Sequence, residues 1–379
     1  MSAMLISNKK MFFITGASRS GTTLLSFVLR NHSQVFGLKE LHYFGQFWDA
    51  CNPEQQLQEG QMQMAAATMF ARQRQGILGA KPAQEDMDSA REFIATLPLE
   101  DRNAAGLFAG VVQKLTSEGG KSIPCEQTPR NIFYAEALLK AYPNAHVIHM
   151  MRDPRAVMAS QKQRWKRRQL ATDKSGVPLS QSLRVWVNYH PYTVARLWKR
   201  ASRLAQRLID HPRFTLLRFE DLLGQSEPTI RSLCESLGIE FEPSMLEVGQ
   251  INSSHQSSVG GARKGLHTDA IDKWKSTLST AEIAITERIC GSLLEDFGYS
   301  KGSQRATGGL GELRYRLSYP LHLAGVMAVN PHRAWIQLQA ALKSSGSGKE
   351  DGHMDKVDPE EKTPVIHRKS TGRRKGGYT

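Results

Sequence analysis

Compact apolar runs alternate along the chain with stretches whose apolar residues fall at helical spacing. Met11-Phe12-Phe13-Ile14-Thr15 is unbroken and closed by Gly16, which predicts a buried strand. Beyond Gly21, Leu24, Leu25, Val28 and Leu29 predict a helix over 22–30. Val35 to Leu38 reads as a short second strand. Ala145 to Met151, entered through Pro143-Asn144, is a strong strand. Helical spacing then covers 154–165, with Pro154 tolerated in the first turn, and continues over 180–209. Phe214 to Phe219 is a further strand. Helices follow over 229–237, closed by Gly238, and over 280–297, ending at Gly298. Strands separated by helices of this length imply parallel pairing through right-handed crossovers. The class is α/β, a P-loop-like parallel sheet flanked by helices.

Two stretches depart from that alternation. Residues 49–120 are rich in Gln, Ala and Met without strand runs, and read as a helical insertion. Past Ser303 the Gly308-Gly309 break introduces a small C-terminal helical extension over 304–343. Ser, Gly, Lys and acidic residues then dominate 344–379, a composition that predicts disorder. The main domain is therefore expected over 1–303, with 49–120 inserted in it. There is no internal repeat.

The chain has 379 residues, 40% of them hydrophobic, and a formal net charge of +14. Such a charge suits an anionic partner: nucleic acid, a membrane surface or a phosphorylated nucleotide. Cys51, Cys125, Cys234 and Cys290 are scattered, with no paired spacing for a metal site or a disulfide framework. The short apolar run at Met11 is too brief for a signal core or a span, and nothing else approaches eighteen uninterrupted apolar residues. A cytoplasmic protein without membrane anchor is expected, and no nucleic-acid recognition motif is present.

Gly16-Ala17-Ser18-Arg19-Ser20-Gly21-Thr22-Thr23 carries the most chemistry. Two glycines separated by four residues and a terminal hydroxyl have the length of a Walker A loop, which aims backbone N–H groups and a helix N-terminus at an anion. Thr22 stands where a nucleotide triphosphatase places its Lys, and Arg19 supplies a cation inside the turn instead. A second candidate follows the strand at 145–151: Arg152 at its end and Ser160 eight residues later can converge on one anion. An Arg–Asp salt-bridged helix start is the bland alternative for that block.

Arg19-Ser20-Gly21-Thr22-Thr23-Leu24-Leu25 resembles the phosphosulfate loop of the sulfotransferases that use 3′-phosphoadenosine 5′-phosphosulfate (PAPS), including Golgi-type and bacterial members. The resemblance implies that Arg19, Ser20, Gly21, Thr22 and Thr23 hold the phosphosulfate, and that Arg152 and Ser160 hold the 3′-phosphate of PAPS. Arg263-Lys264-Gly265 resembles the loop that covers the same phosphate; a solvated basic loop is its equal rival. The similarity spans about residues 11–300, leaving 49–120 unmatched.

Sulfuryl transfer needs a base for the acceptor proton and a partner for charge on the leaving phosphate. In Lys39-Glu40-Leu41-His42-Tyr43-Phe44 both Glu40 and His42 are capable bases, and in a strand they would share a face. A similar stretch in Golgi-type glycan sulfotransferases implies Glu40 as base, with His42 as positioner or alternative base, and Arg19 polarising the bridging oxygen. Glu126-Gln127-Thr128-Pro129-Arg130 resembles a block in which a Lys precedes Thr-Pro. Here that position is Gln127, with Arg130 as a candidate substitute. Leu217-Arg218-Phe219-Glu220-Asp221-Leu222 and Phe297-Gly298-Tyr299 read as structural. The basic runs at 162–168 and 196–207 read as solvated helix faces or as a surface for an acidic acceptor. A metal-free transfer of a sulfuryl group to a hydroxyl or amine is expected. An ATP-dependent small-molecule kinase and a non-catalytic PAPS-binding protein stand as alternatives.

Overall fold

The computed structural model of the chain describes residues 8–52, 54–76, 81–163, 187–248, 268–302 and 309–329. Five parallel strands form one sheet in the order β2-β3-β1-β4-β5. They are β1 (Met11–Gly16), β2 (Val35–Gly37), β3 (Ile123–Glu126), β4 (Ala145–Met151) and β5 (Phe214–Arg218). The central strands β1 and β4 are buried along their whole length. Both faces are covered, so they read as continuous apolar runs rather than alternating ones.

Among the described residues the α-helices longer than four residues are α1 (Thr22–Arg30), α2 (Glu59–Gln75), α3 (Gln84–Thr96), α4 (Ala104–Glu118), α5 (Ala135–Ala141), α6 (Pro154–Lys162), α7 (Pro191–Arg207), α8 (Phe219–Gly224), α9 (Ser226–Leu237), α10 (Thr280–Cys290) and α11 (Gly309–Val329). One face of the sheet packs on α1 and α9 through Phe12, Ile14, Leu25, Leu29, Ile230 and Leu233. The other packs on α4 and α5, where Phe13 stacks on Phe108 with centroids 5.9 Å apart and Tyr142 closes the cluster.

The α/β class and parallel sheet expected from the sequence are what the chain adopts. Two differences are instructive. β3, between β2 and β1, has no counterpart in the sequence reading: at four residues, with Pro124 inside, its run is too short to register. The stretch 49–120 indeed forms helices, but α4 supplies Phe108 to the main core. The insertion lies within the β2-to-β3 crossover and contributes to the main core.

Boundaries moved where backbone chemistry intervenes. The helix expected over 280–297 stops at Cys290, because Gly291 turns left-handed at φ 62°, and a short helix Leu293–Asp296 follows. The stretch expected over 180–209 is described from residue 187, and its helix begins at Pro191 behind an extended His190. The strand expected over 35–38 is observed as Val35–Gly37, and the following residues 38–43 are not in a strand.

α11 packs against α7 and α10 with polar groups: Tyr315 reaches Glu282 at 3.3 Å and His322 reaches Thr193 at 3.0 Å. Its opposite side leaves Leu310, Leu317 and Leu321 exposed. Among the described residues no helix is long and apolar enough to cross a membrane. The expected tail over 344–379 and the extension beyond Val329 lie outside the described residues.

Phe108 is fully buried in the aromatic cluster, so Phe108→Ala is expected to cost about 3–5 kcal/mol in urea unfolding. Exposed Leu321→Ala is expected to stay within about 0.5 kcal/mol.

Candidate active site

Because all strands run the same way, their carboxyl ends share one edge, and the turns leaving β1, β3 and β4 meet there. Gly16 ends β1 opposite Met150 of β4. A Cβ on Gly16 would sit 2.8 Å from the Met150 carbonyl oxygen, so the turn starts where only glycine fits. Ser20 N–H closes it on the Ala17 carbonyl at 3.0 Å. Arg19 has φ 80° and Gly21 φ 98°, both left-handed. Gly21 also lies under the Phe219 ring, where a Cβ would meet a ring carbon at 2.4 Å.

α1 then begins without a side-chain cap and without an acidic residue in its first turn. Its first amides and its positive end are left to an anion. The buried Ser20 hydroxyl has no hydrogen-bond partner among the described residues, as a hydroxyl aimed at an anion would. Thr22, in the position of the Walker Lys, is buried.

The second candidate converges on the same turn. Arg152 Nη1 donates to the Arg19 carbonyl at 3.1 Å, Nη2 donates to the Ala270 carbonyl at 2.9 Å, and its guanidinium lies 4.1 Å from the Phe219 ring centroid. Ser160, on α6, accepts from Arg19 Nε at 3.3 Å. Arg19, Arg152 and Ser160 thus form one cationic corner. The salt-bridged helix start is present as well, but it belongs to the next residues. Asp153 caps α6 by accepting from the Arg155 amide at 2.8 Å, and Arg155 pairs with Asp153 at 2.7 Å and Glu287 at 2.9 Å. Trp274 lies against Arg155, 4.2 Å from centroid to guanidinium. Arg263, Lys264 and Gly265 lie outside the described residues, as do 164–168 of the first basic run.

Glu40 and His42 lie in the segment that crosses the end of β3. Leu38 N–H bonds to the Cys125 carbonyl at 2.8 Å, and β3 is the immediate neighbour of β1. The strand-face geometry expected for the pair is replaced by a tighter one: His42 is left-handed at φ 47°, and its Nε2 contacts Glu40 Oε2 at 2.9 Å. Among the described residues, Arg19 and His42 are the two non-glycine residues with positive φ. Such backbone costs about 1–3 kcal/mol per residue and persists only where its surroundings enforce it.

The Glu126–Arg130 block supplies part of that enforcement. Glu126 is buried, and burial pushes its carboxyl above the ordinary value against the pull of its hydrogen-bond donors. Gln127 is partly buried, with its amide oxygen lacking a partner among the described residues; Arg130 is exposed. A cleft of about 730 Å³ opens at the opposite, amino-terminal edge of the sheet. Its Arg213 is committed to the carbonyls of Leu139, Tyr142 and Ala145. That cleft offers no comparable anion corner.

Phe219 and Glu126, together with Arg72, which donates to the Leu41 and His42 carbonyls, make contacts at this edge that the sequence reading missed. Phe219 fell within a stretch read as structural, yet its ring roofs Gly21 and Arg152. The signal available was a strand, β5, delivering an aromatic at the shared carboxyl edge.

Fold and corner together define an α/β protein with a cationic corner at the carboxyl edge of its parallel sheet. A family model described as the sulfotransferase family matches residues 12–243, and the chain belongs to that family. It is similar to carbohydrate sulfotransferase 5 of Mus musculus, 31% identical over 170 residues, covering 41% of this chain and 42% of that protein. It is similar also to carbohydrate sulfotransferase 6 of Homo sapiens, 30% identical over 170 residues, with 41% and 42% covered. The chain thus matches less than half the length of these relatives. The sulfotransferase domain from the Synechococcus PCC 7002 olefin synthase aligns with a TM-score of 0.47 at 20% identity, covering 77% of this chain and 95% of that domain.

Gly21→Ala combines a left-handed backbone with the Phe219 clash and is expected to lower stability by roughly 2–5 kcal/mol. Gly120→Ala, at φ 69° with open space around it, is expected to cost only about 1 kcal/mol. Parallel urea titrations compare the two.

Proposed function

We propose that the protein transfers a sulfuryl group from PAPS to a hydroxyl of a carbohydrate acceptor. The carrying observation is the convergence of Arg19, Ser160 and Arg152 on the uncapped start of α1, with the Glu40–His42 pair one strand away. The α1 amides and the Ser20 hydroxyl suit the 5′-phosphosulfate, and the planar fork of Arg152 with Ser160 suits the 3′-phosphate. The printed names of the relatives support the carbohydrate as acceptor class.

In the transfer, Glu40 takes the proton of the acceptor hydroxyl as its oxygen bonds to sulfur. The bond from sulfur to the phosphate oxygen breaks, and 3′-phosphoadenosine 5′-phosphate (PAP) leaves with the negative charge. Arg19 faces that charge, stabilising the leaving oxygen more as the bond opens. His42, in contact with Glu40, orients the carboxylate. The 49–120 stretch, whose α2 flanks the pair, is the proposed acceptor side. Scattered cysteines, with Cys125, Cys234 and Cys290 buried and unpaired, support a reducing, cytoplasmic setting.

Arg152→Ala is expected to weaken PAP binding about 10–100-fold in calorimetry, the worth of charge-assisted hydrogen bonds to a phosphate. Glu40→Gln is expected to lower kcat about 10²–10⁴-fold with PAP affinity near wild type, measured by sulfate transfer from radiolabelled PAPS to an oligosaccharide panel. A Glu40→Gln enzyme with full kcat would remove Glu40 from the role of base.

A further inference from the structure

Glu126 is 2% exposed, and its four contacts are all donors. Oε1 accepts from the Leu41 amide at 3.0 Å and from the Thr128 hydroxyl; Oε2 accepts from the Thr128 amide at 3.0 Å and Asn131 Nδ2 at 2.7 Å. The Thr128 hydroxyl in turn accepts from the His42 amide at 3.2 Å. From the other side Arg72, on α2, donates through Nη1 to the Leu41 carbonyl at 2.6 Å and the His42 carbonyl at 3.2 Å, and through Nη2 to Gln46 at 2.8 Å. The N–H groups of Leu41 and His42 are therefore held by β3 and the turn after it, and their C=O groups by α2.

We propose that Glu126 and Arg72 are positioning residues, which grip the Leu41–His42 peptide groups from opposite sides and so hold the Glu40–His42 pair at the donor edge of the sheet. The inference rests on the transfer function proposed above. It accounts for the left-handed His42: an L-residue stays there only when over-determined, and its amide and carbonyl are both bound. It also accounts for a buried carboxylate. A group facing four donors must be a pure acceptor, whereas an amide of equal size turns an NH₂ against an N–H. Arg72 makes the β2-to-β3 crossover part of the catalytic scaffold: the helix proposed to flank the acceptor also sets the base.

The test uses the full chain carrying Glu126→Gln or Arg72→Met, with Arg72→Lys as the conservative rescue. Arg74→Met, which removes an ion pair to Asp86 from the same helix, serves as the structural control. Crystal structures of the two variants are expected to show the Glu40–His42 contact opened beyond about 3.5 Å while Arg19 still reaches Ser160. PAP affinity is expected within about threefold of wild type. With PAPS and an oligosaccharide turned over by the wild type, kcat is expected to fall about 10²-fold at nearly constant KM for PAPS, as for an atom misplaced by about 1 Å. Arg72→Lys is expected to recover part of the loss, and Arg74→Met to keep full kcat. Should either variant fail to fold, Thr128→Val, which loses the His42 amide bond and one donor to Glu126, carries the same expectation. A Glu40–His42 contact retained near 2.9 Å in both variants overturns the positioning role, as does an equal loss of kcat in Arg74→Met. Absence of wild-type turnover counts against the transfer reading alone, and the crystal structures still decide the positioning.

Discussion

Two left-handed residues, Arg19 and His42, stand on neighbouring turns of one sheet edge, and each is held there by a polar group from elsewhere in the fold. The Arg19 carbonyl takes a hydrogen bond from Arg152, one residue past the end of β4. The His42 peptide is bound by Thr128, after β3, and by Arg72, on α2. A strained backbone of this kind is stable only against a rigid frame, and the buried strands β1, β3 and β4 are that frame. The parallel sheet fixes where the turns emerge. The left-handed residues then let the short turns place a cation and a carboxylate–imidazole pair at one edge.

On the proposed function, this arrangement accounts for how a P-loop-like turn without its Lys serves as an anion site. Backbone amides and the start of α1 supply directional donors, while charge comes from Arg19 within the turn and Arg152 from the next strand. Phe219 keeps both in place by covering Gly21 and lying against the Arg152 guanidinium. The adjoining Arg155–Asp153–Glu287 cluster anchors α6, so the residue beside the corner is structural while Arg152 remains directed at the turn.

Much of this was legible in the sequence. β1, β4 and α1 announce themselves because they are unbroken apolar runs or clean helical periods, and Arg19, Arg152 and Ser160 carry a recognisable spacing. What escaped has physical reasons. β3 is a four-residue strand interrupted by Pro124, too short for any periodicity. Glu126 looked like one polar residue in a motif, since only the fold shows four donors meeting it. Arg72 lies in a Gln- and Ala-rich helix with no pattern linking it to His42, thirty residues earlier in the chain. The 49–120 stretch looked inserted because its apolar residues are mostly Ala and Met; Phe108, Leu107 and Val111 join it to the core through contacts that sequence spacing does not reveal.

The central claim is that the Arg19–Arg152–Ser160 corner is built for an adenosine carrying 3′- and 5′-phosphates. Calorimetric titration of the purified chain with PAP without metal, beside ATP with magnesium, tests it most directly. The account predicts tight binding of PAP and a preference for it over ATP. Binding of magnesium–ATP in preference to PAP would contradict it and return the turn to the kinase reading.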